Sequence, residues 1–193
     1  MTTFGLALLW AVPVAGVAQS IAPLDVQGKL RFHAASVYRP SSLLGAAAYA
    51  GILHARNTPE EWGQGGANYG KRVGSAVGYS AVRATLAFGL DSTLHQDPRY
   101  FRSAGKGFWN RAGHALRGTI LTRTDSGGET LSTWRIGSAY GAAYLSNQWY
   151  PDRLNTVGRG AQQGSLQLAF DFASNLGSEF WPDLKRKLKR PKP

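Results

Sequence analysis

The sequence predicts an all-α protein of about five helices packed through glycine-bearing faces, and three observations carry that prediction. Gly70, Gly74 and Gly78 recur every fourth residue inside an apolar, tyrosine-containing stretch. A glycine costs a helix interior about 1 kcal/mol relative to alanine, so a register of them implies a face that a second helix approaches closely. The same spacing returns at Gly137 and Gly141 and at Gly160 and Gly164. Alanine-rich runs such as 45–50, clear cap residues and a low content of Val, Ile and Thr also favour helix over strand. The competing fold is a β-barrel of the outer membrane, because Leu166, Leu168, Phe170 and Phe172 alternate as a lipid-facing strand would. Elsewhere that alternation fails.

Residues 1–18 read as a signal peptide: the apolar run Phe4 to Val17 contains Leu6, Leu8, Leu9 and Trp10 and ends in Gly16, Val17 and Ala18. It has no basic n-region, Pro13 interrupts it, and it is too short to span a bilayer. Residues 19–40 look irregular. Pro40 and the hydroxyls of Ser41 and Ser42 then open a helix over 43–54, the first of a helical domain covering 41–184. A long helix over 68–94 carries only Arg83 as a charge between Arg72 and Asp91, an 18-residue window at the lower edge of transmembrane length. Asp97 and Pro98 form a cap and first-turn pair expected to start a short turn or helix through Phe101.

An amphipathic basic helix follows over 108–122, with Phe108, Ala112, Ala115 and Leu116 toward a core and Arg111, Arg117 and Arg123 toward water. Residues 124–128 are a turn cluster, and Thr133 is read as the cap of a helix ending near Gln148. The last helix, over 156–180, carries Leu166, Phe170, Ala173, Gly177 and Phe180 at spacings of four and three, and Trp181-Pro182 is expected to stop it. Residues 185–193 form a basic tail.

The formal charge is +11, but Lys185, Arg186, Lys187, Lys189, Arg190 and Lys192 supply six of those charges, leaving +5 for the rest. Basicity is therefore largely a property of the tail, which suits anionic lipid, another polyanion or plain solvation. The absence of cysteine excludes disulfides, thiolate-bound zinc and thiol catalysis. His33, His54, His95 and His114 fall on separate segments without metal-ligand spacing, so neither a metal nor a cofactor is expected. The weak catalytic candidates are His95, Asp97, Arg99 and Asp125, an acid-base constellation that equally describes a polar helix connection. Arg83 and Asp171 each sit in a largely apolar helix, where an unpaired charge is costly, so they are candidates for a buried ion pair. Trp62, Trp109, Trp149, Trp181, Tyr100 and Tyr150 lie near element ends, as in an interfacial aromatic belt or as plugs of a soluble core.

The segments His95-Gln96-Asp97-Pro98-Arg99-Tyr100-Phe101, Phe108-Trp109-Asn110-Arg111-Ala112-Gly113, Thr122-Arg123-Thr124-Asp125-Ser126-Gly127-Gly128, Leu145-Ser146-Asn147-Gln148-Trp149-Tyr150-Pro151 and Glu179-Phe180-Trp181-Pro182-Asp183 occur in a telling order. Over residues 40–184 the chain resembles a family of uncharacterised exported proteins common in soil bacteria. The resemblance implies an envelope location and a single helical unit, and it brings no activity, cofactor or catalytic residue. The tail beyond Asp183 is more basic than the resemblance implies.

The expected function is that of a non-enzymatic, membrane-associated envelope component, periplasmic or in the outer membrane, that acts through helix association and homo-oligomerisation. The alternatives are an envelope lipid or phosphoester hydrolase built on His95, Asp97, Arg99 and Asp125, and a polyanion-binding module. Export makes nucleic acid the less suitable polyanion. Gly74→Leu is expected to disrupt helix packing if the glycine register is the seam.

Overall fold

A computed structural model describes residues 22–189, with the side chains of Lys187 and Lys189 left undescribed. The expected signal peptide, Arg190 and Lys192 lie outside those residues. The described chain is all-α: six helices, α1 (Val26–Tyr38), α2 (Pro40–Ala55), α3 (Gly66–Thr93), α4 (Phe108–Ile120), α5 (Thr133–Asn147) and α6 (Val157–Lys189). A two-stranded antiparallel hairpin, β1 (Leu121–Arg123) and β2 (Glu129–Leu131), joins α4 to α5 with Thr122 opposite Thr130. There is no barrel among the described residues. The alternating apolar run at 166–172 lies inside α6.

The helix that the sequence hides is α1, placed in the stretch 19–40 expected to be irregular. Its pattern is inverted: Lys29 and His33, one turn apart, are the inward residues, while Val26 and Leu30 are exposed. A reading that seeks apolar residues on the buried face therefore finds no helix. Asp25 was the available signal, since its carboxylate accepts from Gly28 N at 2.7 Å as an N-cap.

Other boundaries differ from expectation: α2 already starts at Pro40, so Ser41 and Ser42 lie in its first turn and do not cap it. No helix forms after Asp97; its Oδ1 accepts from Arg99 N at 3.0 Å, but the chain then runs irregularly from Pro98 to α4. Ser132, rather than Thr133, occupies the N-cap position of α5. Nor does Trp181-Pro182 stop α6, which continues through Pro182 to Lys189. A proline removes its own N–H bond and crowds the carbonyl four residues back, yet α6 continues past it with Asp183 held by Arg111 on the far side. Lys185 and Arg186 thus extend a helix.

Helix α3 is the axis of the fold: α1, α2 and α5 pack on it, α6 packs on α5, and α4 packs on α6. The core is unusual in chemistry. Its buried apolar residues are mainly alanines together with Trp62 and Trp134, whereas Lys29, His33, Arg72, Asp91, Arg135 and Glu179 are also buried. Conversely Leu44, Trp109, Val157 and Leu188 are among many large apolar side chains facing outward. No described helix is long and apolar enough to cross a membrane. The window between Arg72 and Asp91 is bounded by charges buried against partners, not by charges at two water interfaces.

The glycine register divides into two groups. A Cβ on Gly137 or Gly141 would lie 2.8 Å from Leu90 Cδ1 or 2.9 Å from Leu86 Cδ1, and on Gly160 or Gly164 it would overlap the rings of Tyr144 or Tyr140. These four glycines of α5 and α6 are holes for side-chain knobs from the neighbouring helix. Gly78 only grazes Trp149 at 3.9 Å, and nothing described lies within 4 Å of a Cβ on Gly70 or Gly74. Gly70 and Gly74 therefore seat no helix among the described residues, and Gly74→Leu has no described packing there to disrupt. The paired expectation is that Gly164→Ala lowers the melting temperature, whereas Gly74→Ala raises stability by about 0.5–1 kcal/mol through helix propensity. Thermal denaturation of the two variants checks both signs.

Candidate functional site

The end of α3 brings the catalytic candidates together. Gln96 N donates to Asp91 O at 2.8 Å and Leu94 N to Leu90 O at 3.0 Å, closing the helix with His95 at φ +52°. The chain then meets the hairpin: Asp125 N donates to His95 O at 2.8 Å and Asp97 N to Arg123 O at 2.8 Å. His95 Nδ1 lies 3.7 Å from Asp125 Oδ2, but that oxygen already accepts from Lys29 Nζ at 2.7 Å. Asp97 is held by Arg99, whose Nε donates to Oδ1 at 2.9 Å and whose Nη2 donates to Oδ2 at 2.5 Å. That hydrogen bonding also raises the Arg99 guanidinium above its ordinary pKa.

Sequence reasoning missed the deeper half of this cluster. His33 Nε2 lies 2.5 Å from Asp91 Oδ2 with both side chains buried, and Lys29 Nζ also donates to Asp91 O at 3.2 Å. The His33 ring meets Trp134 edge-on at 5.5 Å. Lys29, His33, Asp91 and Asp125 thus tie α1 to α3 and to the hairpin. Lys29 and His33 at helical spacing, read with Asp91, were a detectable signal of a polar inner face. Each carboxylate has a cationic or imidazole partner, and the polar contacts link secondary-structure elements. No group of three His, Asp or Glu able to hold a metal occurs among the described residues.

His95 holds a left-handed conformation that a side chain adopts at a cost of about 1 kcal/mol or more, and glycine adopts freely. Its side chain is 81 % exposed. His95→Gly is therefore expected to leave the fold intact and raise its stability, by about 1 kcal/mol, as measured by urea denaturation.

A second polar constellation lies between α3, α5 and α6. Arg83 Nη2 donates to Asp171 Oδ2 at 2.6 Å, and Gln167 Nε2 to Asp171 Oδ1 at 3.2 Å. The two charges chosen from the sequence thus pair, about one-fifth exposed rather than fully enclosed. Arg135 joins their field. It is 5 % exposed, its Nη1 donates to Gly118 O at 2.9 Å, and burial pushes its pKa down to about 10 against the partial support of Asp171. The Nε atoms of both Arg83 and Arg135 are buried without a hydrogen-bond partner. A groove of about 250 Å³ opens between α4, α5 and α6, lined by Leu116, Thr119, Ile120, Ile136, Leu168, Ala169 and Phe172 and by none of these charged residues.

The third feature is an aromatic and basic corner where α4 begins and α6 ends. Phe108 stacks on Phe180 at 5.3 Å and meets Trp109 edge-on at 5.1 Å. Lys185 Nζ lies 5.7 Å from the Trp181 ring. Trp109 is 82 % exposed, Phe108 56 % and Leu188 73 %. Of the other aromatics read as a belt, Trp62 is instead buried, stacked on Tyr150 at 5.0 Å.

Comparison with family models, curated proteins and solved structures gives no match to this chain.

Proposed function

We propose that the protein is a non-enzymatic, membrane-attached helical component of the cell envelope, held at the lipid surface by the corner formed from α4 and the end of α6. The exposure of Trp109 and Phe108 beside a cationic helix end carries this reading. An exposed tryptophan next to a phenylalanine is unfavourable in water, whereas both rings are at home in the headgroup region of a bilayer. Phe180, Trp181, Leu184 and Leu188 recur at helical spacing, so the last turns of α6 add an apolar stripe. Lys185 and Arg186 are exposed on the same turns and supply the attraction to anionic headgroups.

Vesicle flotation tests it. Trp109→Ala is expected to weaken attachment about tenfold or more, since burying an aromatic side chain contributes roughly 1.5–3 kcal/mol. Removal of residues 185–193 is expected to flatten the salt dependence on anionic vesicles while the helical circular dichroism stays native. Equal binding of both variants and the parent at low salt would sink the proposal.

A further inference from the structure

We propose that the protein stands end-on on an anionic bilayer, with the first two turns of α1 as a second lipid contact at the same end of the bundle as the aromatic corner. This geometry rests on the membrane reading and extends it. The packing fixes which ends meet. Gly137 and Gly141 of α5 face Leu90 and Leu86, and Gly160 and Gly164 of α6 receive Tyr144 and Tyr140, so α5 runs against both α3 and α6. Helices α3 and α6 therefore point the same way, with Arg83 and Asp171 as a rung between them. Eight residues further along each helix, 83 to 91 and 171 to 179, Asp91 and Glu179 mark a common end. Glu179 holds Tyr100, Ser103 and Arg111, which places the aromatic corner at that end. Asp91 O accepts from Lys29 Nζ at 3.2 Å and Ala22 O accepts from Arg99 Nη2 at 2.6 Å, which places the start of α1 there as well.

On α1 Lys29 and His33 are buried, whereas Val26 and Leu30, one turn apart, are 62 % and 49 % exposed. Two exposed apolar side chains are ordinary on any protein surface, and charge decides what these meet. The exposed cations Arg31, Arg102, Lys106, Arg123, Lys185 and Arg186 all belong to this end. Arg31 lies between Lys29 and His33 on α1, Arg102 Nη2 donates to Glu179 O at 3.3 Å, and Arg123 O accepts from Asp97 N at 2.8 Å. The exposed carboxylates here, Asp25 and Glu129, are engaged by Gly28 N and by Arg117. At the opposite end, where α2 joins α3 and α5 joins α6, the exposed carboxylates Glu60, Glu61 and Asp152 offset the exposed cations Arg56, Lys71 and Arg153. One end is thus cationic and the other close to neutral, so a negatively charged surface selects the first. A second copy would bring the same charge to the contact, whereas anionic headgroups over acyl chains match both the arginines and the apolar side chains. The bilayer is the committed occupant.

The chain contains no cysteine, so single introduced cysteines report position. Leu30→Cys, Leu188→Cys and Glu60→Cys, each carrying an environment-sensitive fluorophore and checked for native circular dichroism, are mixed with vesicles of equal parts phosphatidylcholine and phosphatidylglycerol. Brominated acyl chains are expected to quench the labels replacing Leu30 and Leu188 about twofold or more and to leave the label replacing Glu60 unchanged. In the unlabelled protein, Lys106→Glu should weaken vesicle binding at low salt about fivefold or more, the factor for one basic residue near such a surface, while Lys71→Glu at the far end has less effect. Quenching of the label replacing Leu188 but not of that replacing Leu30 would overturn the second contact and leave the membrane reading standing. Equal quenching of the labels replacing Leu30 and Glu60, or equal loss in Lys106→Glu and Lys71→Glu, would overturn the end-on geometry. Absence of quenching at all three positions would sink the membrane reading and this proposal with it.

Discussion

Replacing Glu179 by alanine is expected to cost about 3–5 kcal/mol, the range for stripping one partner from a buried charged network. Glu179 is fully buried on α6. Its Oε1 accepts from Tyr100 Oη at 2.7 Å and from Ser103 N at 2.7 Å, and its Oε2 accepts from Arg111 Nε at 3.3 Å. Burial and the neighbouring carboxylate push the Tyr100 hydroxyl well above its ordinary pKa, so it stays a proton donor. One carboxylate therefore holds the irregular segment after Asp97 and the start of α4 against α6. Alanine would leave a phenol and a backbone N–H in a dry site without an acceptor, and Arg111 with only Asp183, at 2.5 Å. Glu179→Gln should lose less, because its amide oxygen still serves Tyr100 and Ser103 while its NH₂ opposes Arg111. Urea denaturation gives both values. A loss below about 1 kcal/mol for the alanine variant would mean that the clamp is not integral to stability. The variant should also loosen the stack of Phe108 on Phe180, so vesicle attachment reports on it independently.

Helical class was legible because it rests on local chemistry: proline and hydroxyl starts, alanine runs and the four-residue spacing of α5 and α6 all act within a turn or two. What stayed hidden depends on partners distant in sequence. Lys29 and His33 make α1 look irregular until Asp91 and Asp125, far along the chain, turn their face into an inside. Gly70 and Gly74 have the same spacing as Gly160 and Gly164, yet only the latter pair receives Tyr144 and Tyr140. Spacing states that an approach is possible, and the tertiary fold decides whether it occurs. The candidate site shows the same division. The closeness of His95 to Asp125 depends on the pairing of Gln96 with Thr124 beyond the whole of α4, and Arg135 gave no signal, standing between Trp134 and Ile136. The Arg83 and Asp171 pair was legible because both charges stood in apolar surroundings, where the cost of isolation itself predicts a partner.

Arg72 is the position where the sequence and the structure assign the most different roles, and Arg72→Met is expected to cost on the order of 4 kcal/mol, because each buried carbonyl left without a donor costs about 1–3 kcal/mol. In the sequence it marks the edge of an apolar window. In the fold it is 1 % exposed and ties down the connection between α2 and α3. Its Nε donates to Thr58 O at 2.9 Å, its Nη1 to Gly63 O at 2.9 Å and Asn68 O at 3.2 Å, and its Nη2 to Pro59 O at 2.9 Å. The same Nη1 lies 3.2 Å from His54 Nδ1, and the guanidinium sits 5.9 Å from the ring of Trp62. Four carbonyls converge on one planar fork, which methionine matches in length but not in donors. Lysine keeps the charge but concentrates its donors on one atom, so Arg72→Lys should still lose at least about 2 kcal/mol. The loss should be regional before it is global: amide exchange is expected to accelerate first over residues 57–65, and Trp62 emission to shift to the red as the ring leaves Tyr150. Unchanged exchange in that segment would show that the loop is held by Trp62 and its stack rather than by the arginine.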